Sequence, residues 1–397
     1  TQGSENLGSY TSMQYFEQEG TTLRSKLQRF TFRNNLNGGN DKFRYGTNLT
    51  AAFSRSDFVV DAIRDGNTGG QLDNPFIVPF LGLPYLNAFN PDGSLNRFGT
   101  VESGAFNPDG SVSVNGANGF VNTPFIALNT AAFNTDQESE FRITGSANAE
   151  YDFVKNFTVG GTVGVDYLNI ERLFIDSPNS IRGLLSPNID AAEEFFGGTQ
   201  FESFSRDFSF NGNAFLRYVN SFDKHNVTAT AYTEYFFRNI QGASFQAFGL
   251  NPKFPGSSAG FVDPSTFFPA LDEPNPAAPF IPSVSSTEIE SALWSYFANV
   301  QYDYDGRFGL DLTLRRDGTS RFQEENRWGT FFSAGGRWNI DKESFMDSVD
   351  WVDALKLRGS YGQTGNQNIG FFAGFQTIAG GNGFQNAPIL SVNTLSD

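Results

Sequence analysis

The sequence predicts an all-β protein, and more narrowly an antiparallel transmembrane β-barrel. Apolar and polar residues alternate with a period of two in many segments, which is typical of strands with one apolar and one polar face. The apolar rows end in aromatic residues, as they do at the two lipid–water interfaces of a barrel. Short and long connections also alternate along the chain, as periplasmic turns and external loops do.

The stretch Trp294–Gly365 shows the alternation most clearly. In Trp294–Tyr304 one row of alternate residues reads Trp, Tyr, Ala, Val, Tyr, Tyr, and the row between them reads Ser, Phe, Asn, Gln, Asp. After a tight Asp305-Gly306 turn, the same pattern returns in three further segments. A water-soluble sandwich rarely needs aromatic residues at the ends of its apolar rows, so the pattern favours a membrane barrel.

Alternation marks about eleven strands in all. In the clearest one, Phe141, Ile143, Gly145, Ala147, Ala149, Tyr151 and Phe153 form an apolar row that we expect to face lipid. The predicted strands are 9–17, 23–36, 43–54, 139–153, 157–170, 203–219, 225–237, 290–304, 307–316, 328–340 and 355–363.

The connections predict an orientation in the membrane. Short turns near 37–42, 154–156, 220–224 and 305–306 alternate with long connections near 55–138, 171–202 and 238–289. Bacterial barrels have short periplasmic turns and longer external loops, so we expect the long connections to be external. Residues 1–397 are therefore predicted to form one partial barrel with three long external loops.

Composition excludes several other classes of protein. The formal charge is −16, which does not favour nucleic-acid binding because that function needs clustered Lys and Arg. No apolar run approaches about 18 residues, so a transmembrane helix is not expected. The chain has no cysteine, which removes disulfides and thiolate metal sites.

Nothing in the sequence predicts an enzyme or a cofactor site. His225 is the one histidine, and it opens a predicted strand directly after Asp223-Lys224, where a turn or interface role is favoured over catalysis. Glycines are scattered along strands and do not open a helix, so no phosphate-binding or dinucleotide loop is indicated. Carboxylate pairs such as Glu193-Glu194 fall in predicted loops.

Several runs resemble the SusC/RagA-type TonB-dependent outer-membrane transporters. Leu314–Phe322 has the sequence LRRDGTSRF, Asn326–Gly329 has NRWG and Leu355–Gln367 has LKLRGSYGQTGNQ. Tyr15–Gly20 and Arg29–Leu36 match the same family near the start of the chain. The motifs are specific for the family and say little about the substrate.

The resemblance implies a location in the bacterial outer membrane and a mechanism. Such proteins form a 22-stranded barrel around a plug, and this chain would supply about half of the strands. The plug and the region that contacts TonB are expected outside this chain. A SusD-like surface lipoprotein closes the external mouth in this family, and typical cargoes are oligosaccharides or peptides.

The polar faces of the strands are where we expect function. Arg315, Arg316, Asp317 and Arg321 cluster at the external end of a predicted strand, shortly before Trp328. These residues could grip a carboxylate or a sugar, but a role in bracing the lumen wall is favoured because varied family members share the motif. Arg358 and Asn366 are expected to serve the barrel or its contact with the plug.

The segment 251–284 is rich in proline and aromatic residues. Proline reduces the entropy lost when a loop is fixed, and clustered rings can bury a surface. We expect a small core of the loop's own together with a contact to a partner protein, while a ligand contact remains an alternative. The rings are those of Phe254, Phe261, Phe267, Phe268 and Phe280.

Three alternatives remain open at this stage. One is a siderophore-type receptor or a porin-like channel with the same kind of wall. Another is a soluble β-sandwich or propeller used for adhesion. A third is a barrel that mainly anchors a larger assembly at the cell surface, with little transport.

Overall fold

The computed structural model confirms an all-β architecture built on one large antiparallel sheet. It describes residues 2–4, 6–58, 91–92, 125–178, 180, 189–191, 194–251, 282–349, 351–366, 377–382 and 388–393. The strands of the sheet are β1 (Gln2–Ser4), β2 (Leu7–Glu19), β3 (Lys26–Gly39), β4 (Phe43–Asp57), β5 (Thr135–Val154), β6 (Phe157–Asp176), β7 (Ile189–Ala191), β8 (Glu194–Phe222), β9 (His225–Leu250), β10 (Ser283–Tyr304), β11 (Phe308–Thr319), β12 (Trp328–Asn339) and β13 (Lys356–Gly362).

Sequential neighbours pair throughout the sheet. The strand order is β1-β2-β3-β4-β5-β6-β8-β9-β10-β11-β12-β13, and the short β7 pairs with β8 at the side. Strands β14 (Thr377–Asn382) and β15 (Pro388–Asn393) form a separate hairpin. An up-and-down meander of this kind is the topology of a barrel wall. All eleven strands predicted from alternation are present.

Hairpin turns join the strands at one end of the sheet, which we call the turn end; we call the opposite end the loop end. Asp305 and Gly306 adopt φ values of 54° and 64° in the turn between β10 and β11. Two successive residues with positive φ are what a type I′ hairpin requires, and an Asp-Gly pair supplies them at low cost. The tight turn predicted at this position is confirmed.

The strands extend further at the loop end than alternation predicted. β8 begins at Glu194 rather than 203, and β9 continues to Leu250 rather than ending at 237. Beyond the apolar band both faces carry polar residues, so the period-two signal fades although the hydrogen-bonded ladder continues. The predicted long connections therefore begin later and end earlier than predicted, and most of their residues lie outside the described residues.

Register places every apolar row on the same face of the sheet. Residues paired directly across an antiparallel ladder project to the same side. One continuous row pairs Leu49, Gly145, Val165, Phe210 and Phe237, and another pairs Ala147, Val163, Gly212, Tyr235 and Trp294. We call this side the outer face and the opposite side the inner face.

The outer face is an apolar band that no other part of the described chain covers. Within the described residues the buried apolar side chains are few, namely those of Ile175, Pro178, Ala247 and Leu250. Large apolar residues instead remain exposed along the outer face, for example Val163, Leu216 and Leu312. A soluble sandwich would bury these rows against a second sheet, so the structure does not support that alternative.

Aromatic rings border the band at both ends. At the loop end, Trp294 lies between Tyr235 and Tyr296, with ring centroids 5.7 and 5.9 Å apart, and Tyr296 stacks on Trp328. At the turn end, Phe308 stacks on Trp338 and Phe157 packs on Tyr218. Amphipathic rings at both borders of an apolar band are typical of a membrane-spanning barrel.

One helix of the described chain is linked by hydrogen bonds to residues at the loop end of the sheet. Helix α1 covers Phe125–Phe133, and no helix of the described chain is long and apolar enough to span a membrane. The guanidinium of Arg24, in the connection between β2 and β3, donates to the carbonyls of Ala131 and Asn134 at 2.8 Å each. The Asn134 amide donates in turn to Asp176 at 2.7 Å.

Candidate functional site

The inner face of the sheet is the candidate functional surface. Its residues are the polar partners in the alternation, and register aligns them into rows that cross many strands. One row pairs Arg44, Glu150, Gly160, Phe215, Tyr232, Phe297, Arg315 and Phe331 in that order from β4 to β12. Because the outer face meets lipid, this face must line the interior of the barrel.

Ion pairs between neighbouring strands run along the inner face. Arg142 donates to Asp166 at 2.7 Å across β5 and β6, and the Nε of Arg238 donates to Asp207 at 2.9 Å across β9 and β8. These side chains are partly exposed, so each pair contributes little stability, and their main effect is to fix a pattern of charge. Arg44 also pairs with Glu150 and Asp152 on the next strand, and two further pairs skip one strand, Arg217 with Glu150 and Arg337 with Asp303.

Three stacked rings lie at the centre of the row. The centroids of Tyr232 and Phe297 are 4.5 Å apart with nearly parallel planes, and those of Phe215 and Tyr232 are 5.6 Å apart. We call these three residues the inner aromatic stack. The Phe215 ring lies over Gly160, where an added Cβ would come within 2.6 Å of the ring. The glycine therefore makes room for the stack.

A guanidinium lies over each end of the inner aromatic stack. The Arg217 guanidinium carbon is 5.3 Å from the Phe215 ring centroid, and that of Arg315 is 4.9 Å from the Phe297 centroid. Arg315 also donates to Asp317 at 2.7 Å, to Glu234 at 3.2 Å and to Ser295 at 3.0 Å. The surface thus combines aromatic faces with fixed positive and negative groups.

The structure brings only part of the predicted arginine cluster to this surface. Arg315 and Asp317 are on the inner face. Arg358 on β13 is on this face too, because it is the register partner of Arg337 on β12. Arg316 and Trp328 are on the outer face, where the Arg316 guanidinium lies 5.3 Å from the Trp328 ring centroid. The prediction that these two belong to the polar face is wrong, because neighbouring residues of a strand project to opposite sides.

The other predicted residues are not members of the inner aromatic stack. Arg321 is in the connection between β11 and β12, and Asn366 follows the end of β13. The five loop phenylalanines, Phe254, Phe261, Phe267, Phe268 and Phe280, lie outside the described residues. His225 is at the turn end, where its ring is 5.0 Å from that of Tyr304 and its Nδ1 is 2.6 Å from the Tyr302 hydroxyl.

The sequence analysis missed the inner aromatic stack. Phe215, Tyr232 and Phe297 each occupy a polar position of their own strand, where an aromatic residue is out of place. That exception was the available signal. It identifies a site only after register shows that the three exceptions are neighbours.

Comparisons with known proteins also support a barrel wall of the outer-membrane type. TonB-dependent receptor P3 of Formosa agariphila is 27% identical over 378 residues, which cover 95% of this chain and 33% of that receptor. SusC of Bacteroides thetaiotaomicron, also a TonB-dependent receptor, is 26% identical over 255 residues, which cover 63% of this chain and 22% of SusC. By sequence and by fold, the chain is similar to the SusC/RagA-type TonB-dependent receptors. It lies in the outer membrane, and its sheet matches part of the wall of such a barrel.

A solved structure shows the fold of that barrel. The RagAB peptide transporter superposes with a TM-score of 0.68 at 22% identity, over 100% of this chain and 39% of that one. No family model matches the chain. The chain spans about a third of the length of the curated relatives that match most of it.

Proposed function

We propose that this chain forms part of the wall of a TonB-dependent importer that takes up oligosaccharides or peptides across the outer membrane. The inner aromatic stack with its two arginines is the observation that carries the proposal. Aromatic faces stack on sugar rings and apolar side chains, and the adjacent guanidinium and carboxylate groups bind polar and charged parts of a passing ligand. An inert membrane anchor needs none of these groups on its inner face.

The proposal includes two protein partners. A SusD-like surface lipoprotein would cover the external mouth and hand the substrate to the lumen. TonB would supply the energy through a region outside this chain. Support comes from the relatives, which are named TonB-dependent receptors and SusC, and from the solved transporter, which is described as carrying peptides.

Purification of the full-length protein from its native membranes in mild detergent tests the proposal. We expect a surface lipoprotein to co-purify, and mass spectrometry of the complex to detect a bound glycan or peptide. Several unrelated surface proteins with no small cargo would contradict import and favour an assembly anchor. A bound iron chelate without a lipoprotein would favour the siderophore-type alternative.

The inner aromatic stack provides a matched control. Tyr232→Ala removes the central ring, whereas Tyr232→Phe keeps it. Loss of bound cargo in the alanine variant only, with the lipoprotein still present, would place the ligand against the stack. Unchanged cargo in both variants would show that Tyr232 does not contact it.

A further inference from the structure

Three arginines on the outer face have the same place relative to the apolar rows of their own strands. Each is the first outer-face residue beyond the apolar row of its strand, and each is at the loop end, which we expect to be external. Side chains at this level of a barrel meet the headgroups of the outer leaflet. The three are Arg55 next to Phe53 in the β4 row, Arg206 next to Phe208 in the β8 row and Arg316 next to Leu314 in the β11 row.

These outer-face arginines differ from those inside. On the inner face, Arg142 and Arg238 are ion-paired with carboxylates of the next strand, and Arg315 is ion-paired with Glu234 two strands away. Within the described part of the chain, Arg206 and Arg316 make no ion pair, and their guanidinium groups lie over the rings of Phe204 and Trp328. Their guanidinium edges keep the forked donor geometry that matches a phosphate.

A groove adjoins Arg206 on the same face. It has a volume of about 820 Å³, and two register rows form its floor across β5, β6, β8, β9 and β10. The first row pairs Ser139, Glu171, Phe204, Ala243 and Ser286, and the next pairs Gln137, Leu173, Glu202, Phe245 and Val284. Apolar rings therefore alternate with carboxylate, amide and hydroxyl groups in the groove.

Along β8 the apolar band, the arginine and the groove follow one another in the order of the acyl chains, phosphate and sugar of a phosphorylated glycolipid. Phe208 and the outer-face residues on its turn-end side belong to the apolar band, which acyl chains cover. Arg206 follows at the border, with its guanidinium 4.6 Å from the Phe204 ring centroid. Phe204 and Glu202 then form part of the groove, where a ring and a carboxylate suit the two faces and the hydroxyls of a sugar.

We propose that this outer-face groove binds a phosphorylated glycolipid of the outer leaflet. Its acyl chains lie on the apolar band, its phosphate binds Arg206, and its sugar headgroup fills the groove. Continuity with the apolar band favours a lipid over a soluble ligand, because the groove opens on the membrane side of the wall. Arg55 and Arg316 bind the phosphates of neighbouring lipids.

Native mass spectrometry of the full-length protein in detergent tests this proposal, with diphosphorylated lipid A as the probe and its dephosphorylated form as the comparison. We expect Arg206→Gln to weaken binding of the diphosphorylated probe about tenfold, as the loss of one forked contact to a charged group does. Arg33→Gln is the matched control, because it removes an exposed arginine from the inner face of β3.

The outcomes separate the proposal from its rivals. Binding that falls only in Arg206→Gln, and only for the phosphorylated probe, supports it. Equal binding of the two probes, or an equal effect of the two substitutions, overturns it. Occupation of the groove by a second protein chain also overturns it. That outcome would be seen as protection of Phe204 and Phe245 from labelling when the complex forms without lipid. Arg206→Lys, which keeps the charge, checks that the loss is not a failure to fold.

Discussion

Replacing Ala147 by arginine tests the assignment of the outer face to lipid. Ala147 is on the outer face of β5, where register places Thr47 and Val163 beside it. Val163 is 49% exposed, as expected for a side chain whose partner is lipid. Among these neighbours there is no carboxylate to pair with an introduced guanidinium.

The depth of Ala147 sets the expected magnitude. Phe141 and Phe153 mark the two ends of its row, and Ala147 is midway between them. At about 3.4 Å per residue and a tilt of about 40°, six residues correspond to roughly 15 Å along the membrane normal. The position is therefore close to the midplane, where arginine on the lipid face of a barrel costs about 2–4 kcal/mol.

Asn148→Arg is the matched control for Ala147→Arg. Asn148 is exposed on the inner face, where its side chain lies over Gly46 and Glu150 is two positions along the strand. An arginine there remains in polar surroundings, so we expect a change within about 0.5 kcal/mol. Urea unfolding of the full-length protein in lipid vesicles measures both variants. Equal destabilisation by the two substitutions would refute the assignment of faces.

Three further predictions concern other parts of the chain. Tyr232→Ala should lower the unfolding free energy by about 1–3 kcal/mol because two ring contacts are lost, while Tyr232→Phe should be nearly neutral; equal losses would contradict a role for stacking. Hydrogen bonds from Arg307 and then Trp338 hold the pKa of Glu343 below its ordinary value of 4.5. The contribution of the Glu343 carboxylate to stability is therefore present above pH 4.5 and disappears as the pH falls through the lowered pKa. The melting temperatures of wild type and Glu343→Gln should then converge below pH 4.5. A difference in melting temperature that does not depend on pH would contradict this. Protease added to intact cells should cut within 55–138 and 238–289; cleavage only after lysis would reverse the orientation.

The strands could be predicted from the sequence because lipid and water impose a period of two on each of them. In residues 141–153 seven apolar residues alternate with six polar ones, so the strand and its two faces follow without tertiary information. The hairpin turn at Asp305-Gly306 was equally predictable, because few residue pairs adopt two successive positive φ values.

The candidate site was less predictable because it depends on register. Phe215, Tyr232 and Phe297 are far apart in sequence and become neighbours only when β8, β9 and β10 pair. The error over Arg316 has a different cause. Sequence proximity to Arg315 suggested one cluster, although alternation alone already assigns the two residues to opposite faces.

The central claim is that one face of this sheet meets lipid and the other lines a lumen. The chain has no cysteine, so single cysteines can be introduced at each position from 141 to 153 and labelled with a nitroxide in the full-length protein. Electron paramagnetic resonance then measures how accessible each label is to lipid-soluble oxygen. The account predicts high oxygen accessibility at odd positions, with a maximum at Ala147, and low accessibility at even positions. A profile without this alternation would contradict it.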